Sequence, residues 1–203
     1  MGSLVLIAII ISAPGCDVWQ LRPADESNEV DLLIRTDGYL DDFLQYDDGT
    51  PRWVSCAGDY KAVWFDTQDF GPFFLDLGYS EFWFYHHGSM PWPTDQFYAE
   101  IWTGLEGASR GEMLHRTVAT ALHFSPLSIY YYPYITGLDK FWVVANTSLS
   151  GNGTPTPLLD GSGNFTGEAR SFFSYDMCDW EPFTSGSVTM ESSSWGMIKG
   201  LYR

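Results

Sequence analysis

The stretch FYAEIW (97–102) alternates: Phe97, Ala99 and Ile101 fall on one side, Tyr98, Glu100 and Trp102 on the other. Successive side chains of an extended chain point to opposite faces, so this reads as a strand with one apolar and one mixed face. Similar runs lie on either side of it. DYKAVWF (59–65) is apolar after Lys61, and EFWFY (81–85) is aromatic on both faces. The second pattern predicts a doubly covered strand or a wet aromatic face. Residues 129–135, FWVVA (141–145), 171–175 and 195–201 complete the set. Gly, Pro, Ser, Thr and Asp fill the gaps, which is the punctuation of many short strands and tight turns. The expectation is an all-β fold, an antiparallel β-sandwich of jelly-roll-like type. EMLHRTVATAL (112–122) has helix formers at its start and Thr and Val later; it is read as a turn followed by a strand. Pro126, Pro133, Pro155 and Pro157 bar long helices nearby.

The chain has 203 residues, enough for one large domain or one domain with an extension. Its 10 Lys+Arg against 26 Asp+Glu give a net charge of −16. Such a surface repels nucleic-acid phosphates and anionic lipid headgroups. Nucleic acid is therefore excluded as a partner. Neutral partners such as glycans and divalent cations remain.

MGSLVLIAIIISAPGC (1–16) opens with an apolar run at 4–11, too short to span a bilayer but suited to the core of a signal peptide. Ala13 and Gly15 stand at −3 and −1 before Cys16. The segment 13–16 also resembles a bacterial lipobox, in which Cys16 is lipidated; a lipid anchor would be the only membrane attachment. A buried N-terminal strand is the plain alternative. Export to the cell surface or beyond is the expectation, with residues 1–15 as signal peptide, 16–43 as an extension or extra strand, and 44–203 as the sandwich domain. In an oxidising compartment Cys56 and Cys178 suggest one disulfide, stabilising by roughly 3–5 kcal/mol through loop closure; two separate buried thiols are the alternative.

YDDGT (46–50) is explained by a turn. Asp47 and Asp48 accept backbone N–H bonds, and Gly49 takes positive φ. The rival is a calcium site drawn from Asp41, Asp42, Asp47 and Asp48, with Asp37 close by, because hard cations collect carboxylate oxygens. No other cofactor is indicated. DGSGNFTGE (160–168) fails the calcium-loop spacing and reads as a loop. His86 and His87 follow a strand, and as neighbours they point to opposite faces; His115 and His123 stand alone in sequence. There is no HExxH, and no catalytic residue is assigned. Asn146, Asn152 and Asn164 each begin a sequon, which marks surface loops.

The aromatic residues carry the strongest binding signal. Trp92 sits between Pro91 and Pro93 in a loop. Trp83, Tyr85, Trp102, Tyr130 and Tyr132 are candidates to join it in a flat platform on which the C–H faces of sugars stack. The competing reading places these rings, Trp83 and Trp102 above all, in the core between two sheets.

The order of motifs resembles a β-sandwich domain that recurs in exported bacterial proteins, often beside proteases or sorting domains. Such domains start with a Tyr-Asp-Asp-Gly turn and end with a Ser-Tyr strand, a Trp and a Met-Ile strand. Here YDDGT (46–50), FYAEIWTGLEGASRGEML (97–114), DKFWVVANTS (139–148), ARSFFSY (169–175), Trp180 and SSWGMIKGLYR (193–203) carry the likeness, over about 44–203. Trp195-Gly196 replaces the usual polar lead-in, and Lys199 stands where Arg is common. The resemblance implies a jelly-roll-like sandwich with an accessory or binding role and no reaction. Three functions follow as expectations. The first is an exported, non-catalytic module that binds a cell-surface glycan or protein. The second is a subunit of an extracellular assembly, joined by strand addition through VDLLI (30–34). The third is a calcium-dependent polysaccharide hydrolase.

Overall fold

Cover on one face or two distinguishes the strands. AVWF and FWVVA read as unbroken apolar runs because their strands are buried on both sides. FYAEIW alternates because only its Phe97, Ala99 and Ile101 reach the main core. The computed structural model describes residues 20–23, 42–44, 52–55, 58–69, 75–88, 90–105, 109–151, 153–159, 171–178, 180–182 and 198–202. Residues 1–15, Cys16, residues 30–34, Asp37, Asp41, Asp47, Asp48, Cys56, residues 160–168 and Asn152 lie outside them. Asp42 opens a strand.

The strands in chain order are β1 (Gln20–Pro23), β2 (Asp42–Leu44), β3 (Arg52–Ser55), β4 (Tyr60–Asp66), β5 (Leu75–Phe82), β6 (Gln96–Gly104) and β7 (Arg110–Thr120). They continue with β8 (Leu127–Leu138), β9 (Lys140–Asn146), β10 (Leu158–Leu159), β11 (Ser171–Ser174), β12 (Glu181–Pro182) and β13 (Ile198–Tyr202). A short 3₁₀ turn, Thr67–Asp69, follows β4. All strand pairs are antiparallel. One sheet has the order β12-β11-β4-β9-β6-β7, a second β2-β13-β5-β8, and a small third β1-β3-β10. The fold is an all-β antiparallel sandwich. Taking β2, β4, β5, β6, β7, β8, β9 and β13 as eight core strands, the four-stranded sheet holds the first, eighth, third and sixth, and the larger sheet holds the second, seventh, fourth and fifth. That interleaving of two Greek keys is a jelly roll.

The main core lies between the sheets. Val63 and Phe65 of β4, Phe97 and Ile101 of β6, and Phe141 and Val143 of β9 face Leu44, Leu75, Leu77 and Phe82 from the other layer. A second cluster, Ala62, Trp64, Trp142, Val144 and Phe172, covers the outer face of the larger sheet, with Trp102 and Trp180 packed against it. Trp180 stacks on Trp142 at 4.9 Å.

Four local readings change. β7 is extended from Arg110 onward, so the helix formers at its start do not make a turn; the Glu112 N–H instead donates to Thr103 Oγ1 at 2.7 Å. The EFWFY strand begins earlier, at Leu75, and residues 83–85 leave the ladder. They are held instead by Leu158 N–H to Trp83 O and Tyr85 N–H to Thr156 O, both 2.8 Å. Asn146, expected on a loop, is buried. Cys178 is an exposed free thiol rather than half of the expected bridge.

Candidate functional site

The six candidate platform rings do not form one surface. Trp83 and Tyr85 belong to the core, because both faces of their segment are covered. Trp83 Nε1 donates to Glu81 Oε1 at 2.8 Å. Trp92 is half-buried, with Phe84 at 6.3 Å and His86 at 4.7 Å between ring centroids. Its Nε1 is buried and has no hydrogen-bond partner among the described residues. It is packed against the core rather than displayed.

Trp102 lies on the outer face of the larger sheet, in a polar network the sequence did not disclose. The Glu100 carboxylate is buried there and has three partners. Trp102 Nε1 donates to Oε2 at 2.9 Å, Asn146 Nδ2 donates to Oε1 at 2.8 Å, and Arg116 Nε reaches Oε1 at 3.1 Å. Charge-assisted bonds of this kind explain how a carboxylate tolerates burial. The Arg116 guanidinium lies 3.7 Å from the Tyr98 ring centre, and Arg110 lies 4.4 Å from that of Trp102. These rings are already capped by the chain's own cations. The signal was present in FYAEIW, where an acid stands between two outward aromatics.

A third cluster gathers at one end of the sandwich. His87 stacks on Trp53 at 4.7 Å, while His86 turns to Trp92 and to His123, 6.4 Å away. The two neighbours thus face opposite ways, as expected. His123, isolated in sequence, is not isolated in space. Its Nδ1 accepts the His86 backbone N–H at 2.9 Å. Partial burial, and then the neighbouring His86, hold it below the usual histidine value. Among the described residues no three His, Cys, Asp or Glu side chains gather into a metal-holding group.

Tyr130 and Tyr132 are the candidates that do face solvent. Tyr132 is 98% exposed and Tyr130 74%, and Tyr134 beside them is 41% exposed. Their display has a backbone cause. Tyr79 pairs with Tyr130, yet Leu77 pairs with Ile135, so two steps along β5 oppose five along β8. The surplus residues bulge from the sheet edge. Bulges re-aim side chains in this way, and an edge strand tolerates Pro133. Between these rings Tyr131 turns inward, its hydroxyl hydrogen-bonded to Ser80 Oγ. Its ring meets His115 of β7 at 4.9 Å. Burial lifts the Tyr131 phenol above its ordinary value and lowers His115. The Tyr131–His115 contact closes the open side of the sandwich and sets the edges of β7 and β8 next to each other. Tyr79 lies 5.3 Å from Tyr130 and extends the patch inward.

No protein-family model matches the chain, and neither curated proteins nor solved structures give a significant match.

Proposed function

We propose that this chain is a non-catalytic, exported β-sandwich module that binds neutral glycans at a cell surface through the tyrosine bulge of β8. The observation that carries the reading is the exposure of Tyr130, Tyr132 and Tyr134 on one five-residue stretch. A phenol ring offers a flat apolar face and a hydroxyl, loses little side-chain entropy on contact, and suits a ligand with C–H faces and many hydroxyls. Exposed aromatic patches mark interaction sites. The net charge of −16 favours a neutral ligand over an anionic one. The signal-like residues 1–15 support export.

The test is affinity electrophoresis of the full chain in gels cast with neutral polysaccharides. The wild type should be retarded by at least one of them. Tyr130→Ala/Tyr132→Ala should bind about tenfold more weakly per ring removed, with an unchanged circular dichroism spectrum. Equal retardation of the double variant, or none for the wild type in any gel, would sink the reading. A second reading, a subunit of an extracellular assembly, is favoured by one specific feature: β7 is long, and among the described residues nothing pairs with its outer edge.

A further inference from the structure

We propose that β7 pairs with β7 of a second copy, antiparallel about a two-fold axis at Thr117, to make a dimer joined sheet to sheet. The proposal deepens the assembly reading and is independent of glycan binding. β7 is the last strand of the larger sheet, 11 residues long, and among the described residues no strand pairs with its outer edge, which leaves a row of N–H and C=O groups open to a partner. Such an edge is a template for another strand unless it is blunted. Its first half is blunted. The ladder with β6 slips between Ile101 and Trp102 and again before Gly104, each time leaving one extra residue on β7. From His115 to Thr120 the pairing with β6 is regular, with no Pro or Gly, and Thr117, Val118 and Thr120 are β-branched. The straight half is therefore the half able to accept a partner.

The side chains point the same way. Met113, Leu114, Val118 and Leu122 are exposed, Val118 to 52%. From Met113 to Leu138 the sole formally charged residue is Arg116. Two bodies of charge −16 meet most cheaply through their least charged surface, and a second copy finds that surface here. The two-fold position follows from the strand's limits. Centred on Thr117, the pairs His115–Ala119 and Arg116–Val118 and their mirrors fall within the regular half, and Leu114 meets Thr120 at its border, still inside the strand. Centred one residue later, Ala121, beyond the strand end, would be drawn in. The Thr117 axis sets Arg116 opposite Val118 of the second copy, so no like charges face each other.

That register gives a test whose sign depends on charge. Sedimentation velocity of the full chain should show a concentration-dependent dimer. Val118→Lys places a cation opposite Arg116 and should weaken the dimer at least tenfold. Val118→Glu places an anion there and should tighten it. Val118 is half exposed, so neither change should move the melting temperature of the monomer by more than a few degrees. Tyr132→Ala should leave the dimer intact, which separates this surface from the glycan patch. A wild type that stays monomeric into the hundreds of micromolar would overturn the proposal. So would a dimer indifferent to both Val118 variants, or one lost only with Tyr132. If a variant folds poorly, amide exchange of the wild type decides: protection over 115–120 must rise with concentration, and unchanged protection there refutes the pairing.

Discussion

Lys61 is fully buried beside the apolar run 62–65, and its amine donates to neutral groups: Gly153 O at 2.7 Å and Thr147 Oγ1 at 3.5 Å. Burial drives its pKa down from 10.5 to about 7, opposed in part by the charge of Asp59. The folded chain therefore holds this proton less tightly than the unfolded chain. Stability should rise with pH between about 7 and 10.5, by at most about 1.4 kcal/mol per pH unit, and the cost of the charged form should be fully present below 7. Chemical denaturation across that range should show a rising slope that flattens in Lys61→Met. An identical pH profile for the two proteins would contradict the account. Trp92 is the second informative residue. Because it packs on Phe84 and His86, Trp92→Ala should cost about 2 kcal/mol of stability and leave glycan binding intact in the folded fraction. Loss of binding without loss of stability would return it to the binding surface. The sequence singled out Trp92 from its two prolines, but loop position does not reveal which way a ring turns.

β6 shows how far a strand can be read without coordinates. The inward Phe97, Ala99 and Ile101 were legible from alternation alone, since the pleat has a fixed period. The role of Glu100 was not, because its partners Asn146 and Arg116 come from β9 and β7, and pairing register is a long-range fact. Glu100→Ala would strand two buried donors and an arginine, and should cost about 3 kcal/mol by thermal or chemical unfolding. A loss below half that would show the network to be a weak surface contact. β7 misled at its start for a similar reason. Helix formers at 112–114 yield to the ladder with β6, since tertiary pairing outweighs a propensity worth a few tenths of a kcal/mol per residue. The β8 bulge was also hidden. Five steps along β8 against two along β5 leave no mark on hydropathy, although side-chain chemistry alone points to Tyr130 and Tyr132 as candidates.

At the scale of the molecule, the sandwich was legible because its evidence is repeated in every strand, while the allocation of rings to core or surface was not. Trp83, Tyr85 and Trp92 went inward, Trp102 was capped by Arg110, and the two tyrosines of one edge stayed out. The jelly-roll order places β7 and β8, consecutive in the chain, at the adjacent edges of opposite sheets. The low-charge corner they form is thus the part of an acidic body best suited to meet something else. Hydrogen exchange of the full chain with and without a neutral polysaccharide that retards it locates that contact. Binding should slow exchange over 127–138 and leave 86–93 unchanged. Protection centred on 86–93, with 127–138 exchanging as freely as before, would put the contact at the histidine end and refute the assignment to β8.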